Sequence, residues 1–332
     1  MPRTEIISTG FHVPANVITN EDLTEWWETS DEWIRERTGI EQRHWVDKGE
    51  ETTSDLAVEA TRQALERADL DPSAIDAIVF ATLSPDHYFP GAGVFLQRKL
   101  GLGQVPALDV RNQCTGFIYG LSVADAWVRT GQYRRVLLVG AEVHSTGLDY
   151  GPDGRDVGVL FGDGAGAVIL GPTEDEGRGV LSTHLFSDGG GAEKLWLEGG
   201  GSAGWPRISE EQLEAGQHYP EMEGREVFKN AVVRMPESVE AALEANGLTV
   251  ADIDLLIAHQ ANLRINEMVG RRLGLAEDQV YNNIQRFGNT TAATIPIAVH
   301  EAVDQGLLDR GDLLVLTAFG SGFTWASAAI RW

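Results

Sequence analysis

The chain has a single cysteine, and several other features that define protein classes are missing as well. One cysteine among 332 residues excludes an internal disulfide framework. Cysteines or histidines paired at metal-ligand spacing are absent, so we expect no metal site. No apolar run approaches about 18 residues, and no basic segment precedes an apolar one at the N-terminus. We therefore expect a cytoplasmic protein with no membrane span and no secretory signal.

Positive charge is scarce too. Fifty acidic residues oppose 26 basic ones, which gives a formal net charge of −24. Such a chain repels nucleic acid and anionic lipid, so we expect neither as a partner, and clustered arginines become the places to examine for an anionic one. The length and the 42% apolar composition predict a globular protein with one large or two medium domains.

The lone cysteine lies in the stretch 107–131, which predicts a short strand, a polar turn and then a helix. The apolar residues of that helix recur at helical spacing: Phe117, Ile118, Leu121, Ala124 and Val128. Cys114 sits where the helix begins, and the positive end of a helix favours a nucleophilic thiolate. The alternative is a buried, inert thiol that packs as a small hydrophobe.

Earlier in the chain, a strand is predicted over 5–8. Thr29 and Glu32 have capping-box spacing and Gly39 supplies a stop, so we expect a short helix over 30–38. Trp33 and Arg37 share one face of it, although a plain solvated helix is the alternative. A helix over 54–68 and a strand over 74–82 follow.

Two parts of the sequence repeat each other. Residues 64–81 match 242–259 at Ala, Leu, Glu, Leu, Ile and Asp, and RKLGL at 98–102 corresponds to RRLGL at 271–275. This duplication predicts two βαβ-type halves, each with a largely parallel sheet. We expect the boundary near 171–179, with an N-terminal half over 1–172 and a C-terminal half over 173–332.

The duplication also makes a geometric prediction. Pairing Gly131 with Gly306 gives an offset of 175 residues, which carries Cys114 onto Asn289. If the halves are related by a pseudo-twofold axis, these two helix starts face one another across the junction, where ligand sites tend to form. A helix-capping asparagine is the alternative.

A thiol nucleophile needs a partner that handles protons, and His259 is the best placed histidine. It follows the apolar strand residues DLLIA, and strand ends of α/β sheets are where ligands bind. A structural histidine is the alternative. The glycine-rich segment 187–228 is irregular, and we expect it to shape the substrate channel.

Several ordered motifs then point to a family. They are TSDEWIxxRTGI from 29, the cysteine helix, FGDGAGA from 161, STHLFSDG from 182, GREVFK from 224, AHQANLRI from 258, FGNTTAA from 287 and AFGSGFTW from 318. With these, the chain resembles over nearly its whole length the thiolase-fold condensing enzymes, and within them the β-ketoacyl-acyl carrier protein synthase III family. The resemblance implies an α/β thiolase-like fold whose duplicated βαβαβ-type halves are layered α-β-α-β-α.

The resemblance also implies a reaction and its residues. Cys114 is the nucleophile that takes an acyl group from acyl-CoA, and His259 and Asn289 stabilise the enolate formed when malonyl-acyl carrier protein loses carbon dioxide. The oxyanion hole consists of the backbone N–H groups of Cys114 and Ser321. No cofactor beyond the CoA thioester substrate is implied, and the product is a 3-oxoacyl-carrier protein that starts fatty acid synthesis.

Binding surfaces follow from the same resemblance. The family's CoA-binding residues match Thr29, Trp33, Arg37 and Arg155, with the adenine between an indole and a guanidinium. Phe89 matches a phenylalanine that reaches across a homodimer into the neighbouring acyl pocket. The three arginines expected to dock an acidic carrier protein are Arg264, Arg271 and Arg272, for which a rim of surface ion pairs is the alternative.

Some residues depart from the family pattern. Small residues usually precede the cysteine, where this chain has Arg111, Asn112 and Gln113. Ser321 replaces a glycine and Arg225 an asparagine. Related enzymes are disfavoured because thiolases need a second cysteine and elongating synthases a second histidine. Two alternatives stay open: a secondary-metabolite acyltransferase or condensing enzyme with another acyl chain or acceptor, and a non-catalytic subunit that binds carrier protein.

Overall fold

The computed structural model describes residues 2–47 and 49–332, and it contains both helices and strands along the whole chain. The strands, numbered in chain order, are β1 Arg3–His12, β2 Val17–Thr19, β3 Gln42–His44, β4 Ala77–Ala81, β5 Ala107–Val110, β6 Val136–Glu142, β7 Gly164–Thr173, β8 Gly179–Ser187, β9 Leu195–Trp196, β10 Glu221–Met222, β11 Leu255–Ala258, β12 Val280–Tyr281, β13 Leu313–Gly320 and β14 Thr324–Arg331. The helices are α1 Asp31–Thr38, α2 Thr53–Arg67, α3 Ala92–Lys99, α4 Gly116–Arg129, α5 Arg155–Gly158, α6 Glu210–Glu214, α7 Gly224–Ala245, α8 Leu263–Leu273, α9 Ile284–Phe287 and α10 Thr294–Asp304.

Two five-stranded sheets share one topology. The first has the order β1-β7-β6-β4-β5, and the second, read from its other edge, has the order β8-β14-β13-β11-β12. In both sheets the first two pairings are antiparallel and the last two parallel. The same sequence of strands and directions in each half confirms the predicted duplication.

The expectation of largely parallel sheets is wrong, because half of the pairings in each sheet are antiparallel. The connection between β13 and β14 shows the reason. Only residues 321–323 separate these strands, which is far too short for the crossover that a parallel pair requires. The repeated sequence phrases fall on helix ends and on the parallel strands β4 and β11, so they contain no sign of the antiparallel strands.

The apolar core divides the molecule into five layers. Helices α4 and α10 lie between the sheets, where residues such as Phe117, Leu121 and Ile295 pack against strands of both. Helices α2 and α3 cover the outer face of the first sheet, and α7 and α8 cover that of the second. The predicted α-β-α-β-α arrangement is confirmed. The central helices are apolar around most of their circumference because both sides of each are buried.

Several predicted boundaries shift for local reasons. Helix α1 is capped by Ser30, whose Oγ accepts the Trp33 N–H at 3.1 Å, so the predicted capping role of Thr29 is wrong. Gly39 ends the helix at φ 80, as expected. The strand predicted over 74–82 is shorter, because residues 72–74 form a 3₁₀ turn. Among the described residues, no helix is long and apolar enough to cross a membrane.

Candidate active site

One cavity brings together the three residues that the sequence offers for chemistry. It has a volume of about 380 Å³, and Cys114, His259 and Asn289 all line it. Trp33 and Arg37, from helix α1, line the same cavity. The structure thus joins side chains that are up to 175 residues apart, and it connects them with the helix expected to hold CoA.

Cys114 lies in the 3₁₀ turn of residues 113–115 that leads into α4, and only 8% of it is exposed. Strand β13 passes close behind it: a Cβ on Gly320 would lie 2.8 Å from the Cys114 Cβ, so this approach requires glycine. The residue before the cysteine, Gln113, has φ 45, a conformation seldom adopted by residues with a side chain.

The expected low pKa of the Cys114 thiol is wrong for this site. Burial raises the pKa to about 12, and the nearby carboxylate of Glu142 raises it as well. Both effects disfavour the thiolate. Cys114 is therefore mainly a thiol at neutral pH, and a thiol needs a proton acceptor before it can act as a nucleophile.

His259 follows β11, where its backbone N–H donates to the Thr317 carbonyl at 2.8 Å. Its side chain is 2% exposed, and burial lowers its pKa to about 3, so the imidazole is neutral. Nδ1 lies 2.7 Å from the Thr294 Oγ1. The other ring nitrogen, Nε2, is buried and has no hydrogen-bond partner within the described part of the chain.

Asn289 is held on both sides of its backbone. Its N–H donates to the Leu160 carbonyl at 2.8 Å, and its carbonyl accepts the Gly162 N–H at 3.1 Å. The side-chain Oδ1 accepts the Thr291 N–H at 2.9 Å, so Asn289 caps the turn that leads into α10 and lines the cavity as well. The amide nitrogen, with its two donors, takes no part in that bond.

The FGDGAGA motif serves close packing at this point. A Cβ on Gly162 would lie 2.3 Å from the Phe287 carbonyl oxygen, and a Cβ on Gly166 would lie 2.7 Å from the Pro296 Cβ. These glycines let strand β7 and the segment before it pack against the turn and helix that carry Asn289. The motif thus explains how two distant parts of the chain approach each other.

Ser321 lies in the turn between β13 and β14, next to the cavity residue Gly320. Its hydroxyl donates to the Leu195 carbonyl, and its own carbonyl accepts the Thr324 hydroxyl at 3.0 Å. The Thr324 hydroxyl lies 2.9 Å from that of Thr115, beside the cysteine. This chain of hydroxyl groups links the turn of Ser321 to the turn of Cys114.

Among the predicted CoA-binding residues, Trp33 and Arg37 line the cavity and Thr29 and Arg155 do not. The guanidinium carbons of Arg37 and Arg155 lie 4.5 and 4.6 Å from the Trp33 ring centroid. At this distance Arg155 stacks directly on the indole. A base therefore fits between them only after Arg155 moves away from the ring.

The predicted carrier-binding arginines lie on α8, the helix that also gives Ile265 to the cavity. Each makes a local contact: Arg264 lies 6.0 Å from the Phe228 ring, Arg271 is 4.0 Å from a Glu267 oxygen, and Arg272 donates to the Val232 carbonyl. The ion pair of Arg271 is exposed and therefore weak, so it leaves the charge available to a partner.

Three further observations complete the site. Phe89 is 78% exposed and does not line the cavity of this chain. None of Arg111, Asn112 and Gln113 lines it either. Within residues 2–47 and 49–332, no group of three or more His, Cys, Asp or Glu side chains could hold a metal ion.

The sequence did not reveal every residue that builds the site. Thr294, which contacts His259, was missed because nothing distinguishes it from other polar residues near a helix start. Met222 and Leu195 line the cavity from β10 and β9. The segment 187–228 that contains them was predicted to shape the channel, but its irregular sequence does not indicate which residues do so.

A duplicated five-layer fold with a cysteine, a histidine and a carboxamide at one cavity is that of the thiolase-fold condensing enzymes. Residues 108–189 match the family model described as 3-oxoacyl-[acyl-carrier-protein (ACP)] synthase III, and residues 243–332 match the model of its C-terminal part. The chain belongs to the 3-oxoacyl-[acyl-carrier-protein] synthase III family. As a member it is an acyl-transferring condensing enzyme.

Individual relatives agree with this membership. The chain is 46% identical over 327 residues to a beta-ketoacyl-[acyl-carrier-protein] synthase III of Caldanaerobacter subterraneus subsp. tengcongensis, covering 98% of this chain and 97% of the relative. A crystal structure of 3-oxoacyl-[acyl-carrier-protein] synthase III from Aquifex aeolicus VF5 superposes on this chain with a TM-score of 0.90 at 40% identity. The match covers 99% of this chain and 100% of the crystallised one. The crystal structure of the priming beta-ketosynthase from the R1128 polyketide biosynthetic pathway gives a TM-score of 0.90 at 31% identity. That match covers 99% of this chain and 96% of the other.

Proposed function

We propose that this chain condenses an acyl group from acyl-CoA with malonyl-acyl carrier protein, with loss of carbon dioxide, to start fatty acid synthesis. The observation that carries the proposal is the single cavity shared by Cys114, His259, Asn289 and the CoA-side residues Trp33 and Arg37. Family membership supplies the two substrates. The thioester is already an activated acyl donor, so the reaction as written needs no cofactor.

Each residue has a chemical task in this proposal. Cys114 attacks the acyl-CoA carbonyl, forms a thioester with the acyl group and releases CoA. When the malonyl carboxylate leaves as carbon dioxide, negative charge develops on the thioester oxygen of the enolate, and Asn289 and His259 stabilise it. The enolate carbon then attacks the acyl-cysteine, with backbone N–H groups of Cys114 and Ser321 holding the oxyanion. The half over 1–172 thus supplies the nucleophile, and the half over 173–332 the groups that act on the malonyl unit.

The partners are proposed from the same residues. Thr29 and Arg155 would complete the CoA site beside Trp33, after Arg155 leaves the indole ring. Arg264, Arg271 and Arg272 form a positive stripe on a chain of charge −24, which suits an acidic carrier protein. The exposed Phe89 suits contact with a second copy in a cytoplasmic homodimer.

Intact-mass spectrometry tests the function directly. We expect acyl-CoA to add the mass of one acyl group to the wild-type chain and none to Cys114→Ala. Malonyl-carrier protein should then remove the acyl group and yield the 3-oxoacyl product and carbon dioxide. Acylation without decarboxylation would favour a secondary-metabolite acyltransferase instead. Failure to acylate with any acyl-CoA in a panel of chain lengths would favour a non-catalytic carrier-binding subunit.

A further inference from the structure

His144 joins the end of strand β6 to the turn that carries Asn289. Its Nε2 lies 2.7 Å from the Thr291 Oγ1. A threonine hydroxyl both donates and accepts, so this hydrogen bond forms with either tautomer of the neutral imidazole. Burial lowers the pKa of His144 to about 3, so the ring is neutral at neutral pH. The contact is therefore a fixed feature of the protein near neutrality.

The FGDGAGA motif fixes the backbone at His144. Asp163 of that motif is fully buried, and its Oδ1 accepts the His144 N–H at 2.6 Å and the Ser145 N–H at 3.0 Å. Its Oδ2 accepts the Ser145 hydroxyl at 2.6 Å and the Val46 N–H at 2.8 Å. The His144 ring also packs on that of Phe161, with the centroids 4.6 Å apart. The imidazole thus has a defined place from which to hold its partner.

Thr291 adopts a backbone conformation that its side chain disfavours. Its φ is 49, in the left-handed region that β-branched residues seldom enter. Such a conformation costs free energy and persists only where neighbouring groups hold it. Strand β6 lies directly against this turn, since a Cβ on Gly140 would lie 2.2 Å from the Ala292 carbonyl oxygen. The His144 contact therefore acts at a strained residue next to the site.

The conformation of Thr291 determines which end of the Asn289 amide is free. The Thr291 N–H donates to the Asn289 Oδ1 at 2.9 Å. Because an N–H group only donates, it selects the amide oxygen and leaves the amide nitrogen, with its two donors, outside this bond. If the Thr291 N–H turned away, the amide would be free to rotate and to present its oxygen, which repels a developing oxyanion.

We propose that His144 is a positioning residue for decarboxylation, which holds Thr291 in its left-handed conformation and so keeps the Asn289 amide donors available to the enolate oxygen of the malonyl unit. The inference rests on the proposed function, in which Asn289 stabilises that oxygen. His144 does not line the cavity, so it reaches the substrate through Thr291 and Asn289. Acylation of Cys114 comes before the malonyl unit and does not use Asn289. Loss of the His144 contact should therefore affect the second half of the reaction.

Three substitutions and a control test the proposal. His144→Phe keeps a ring against Phe161 and removes the hydrogen bond, whereas His144→Gln supplies an amide able to bond to the Thr291 hydroxyl. Thr291→Val removes the same bond from the other side and keeps the branched shape. His184→Phe is the matched control, because the His184 Nε2 also lies 3.0 Å from a hydroxyl, that of Ser182, but on β8 and not at the cavity.

The readouts are the rapid-quench rate of Cys114 acylation, the rate of carbon dioxide release after malonyl-carrier protein is added to the acylated enzyme, and the crystal structure of each variant. We expect His144→Phe and Thr291→Val to slow carbon dioxide release about 10- to 100-fold, since loss of a complete oxyanion donor costs about 10²- to 10³-fold. Acylation and the KM for malonyl-carrier protein should stay near their wild-type values. His144→Gln should restore most of the rate, and His184→Phe should change neither step. The double variant should be no slower than either single one, because both remove one bond.

Equal slowing of both steps by His144→Phe would overturn the inference, because the histidine would then support the fold as a whole. Wild-type carbon dioxide release in His144→Phe or in Thr291→Val would overturn it too. The crystal structure of His144→Phe needs no substrate and should show the Thr291 N–H moved away from the Asn289 Oδ1. An unchanged turn would refute the inference even if the wild type fails to decarboxylate, a failure that by itself contradicts only the proposed function. If His144→Phe does not fold, Thr291→Val tests the same bond.

Discussion

The Cys114 thiol shares its surroundings with a buried carboxylate, that of Glu142. This carboxylate accepts hydrogen bonds from the hydroxyls of Thr82 and Ser84 and from two backbone N–H groups. Burial nevertheless raises the pKa of Glu142 to about 7. Its negative charge is one of the two causes of the high thiol pKa. Two titrations therefore control the reactivity of the cysteine. One is the loss of the thiol proton, and the other is the ionisation of Glu142, whose charge raises the thiol pKa.

Alkylation of Cys114 should report this coupling. With a thiol pKa of about 12, the wild-type rate with iodoacetamide should keep rising with pH between about pH 6 and 9, because the thiolate fraction grows about tenfold per unit below its pKa. Glu142→Gln removes the charge, so it should lower the thiol pKa and speed alkylation at pH 8. Asp125→Asn, which alters another buried carboxyl, serves as the control. A wild-type rate that levels off below about pH 8 would contradict the high pKa.

Substitution of Ser321 can distinguish whether its backbone N–H or its side-chain hydroxyl acts in the oxyanion hole. Its φ is not positive, so the position does not demand glycine. Ser321→Ala should reduce the free energy of unfolding by about 1 kcal/mol, because the hydrogen bond to Leu195 is lost. Its kcat should fall less than about tenfold, because the backbone N–H remains. Thermal unfolding and steady-state kinetics measure the two effects. A kcat loss of about 10²-fold or more would instead assign the oxyanion contact to the hydroxyl.

At the scale of elements, one fully buried arginine ties three segments together beside the site. Arg43, on β3, donates to the Asn20 Oδ1 at 2.8 Å and to the Val159 carbonyl at 2.7 Å. Burial lowers its pKa to about 9. The next residue after Val159, Leu160, provides the carbonyl that accepts the Asn289 N–H. Arg43 thus supports the position of a catalytic candidate through the segment beside it.

We expect Arg43→Lys to weaken both the fold and the second half of the reaction. A lysine ammonium cannot reproduce the fork that reaches Ile18, Asn20 and Val159. The loss should cost on the order of 3 kcal/mol of unfolding free energy, because buried acceptors lose their hydrogen bonds to a charged donor. Malonyl decarboxylation should slow more than cysteine acylation. Arg35→Lys, at an exposed ion pair with Glu41, is the control and should cost less than about 1 kcal/mol. Equal losses at the two positions, in urea unfolding, would contradict this account.

At the scale of the whole molecule, the net charge of −24 sets how the chain meets its partners. An acidic carrier protein is repelled on average, so docking requires a local positive surface. Helix α8 carries Arg264, Arg271 and Arg272. The same helix borders the cavity, because its residue Ile265 lines it. The positive charges of this helix therefore attract an acidic carrier protein locally, whereas the rest of the negatively charged chain repels it.

Reversing these charges should impair the carrier-dependent step alone. We expect Arg264→Glu with Arg271→Glu to raise the KM for malonyl-carrier protein about tenfold or more at low salt, and high salt should reduce the difference. Acylation by acyl-CoA should stay near the wild-type rate, since neither arginine lines the cavity. The control is Arg62→Glu on α2, which also makes the chain more negative but does so at an exposed ion pair with Glu59, outside helix α8. If that variant raises the KM equally, net charge and not the α8 surface determines docking.

The sequence by itself determined the duplication and the residues that meet at the site. The repeated phrases reveal the duplication, and the pairing of Gly131 with Gly306, 175 residues apart, carries Cys114 onto Asn289. The motif around His259 supplies the third residue. A sequence repeat indicates that one folded unit occurs twice, and the spacing of apolar residues indicates which face of an element is buried. Both features can be read without coordinates.

Only the tertiary structure decided the protonation of these residues. The thiol pKa is raised where the helix end predicted a fall, because burial and Glu142 come from the packing of distant segments. The partner of His259, Thr294, lies 35 residues further along the chain and carries no pattern of its own. Stacking of Arg155 on Trp33 likewise depends on two short helices that meet in space. Local sequence fixes helices and strands, whereas pKa values and hydrogen-bond directions depend on which groups the folded chain places within a few ångströms of each other.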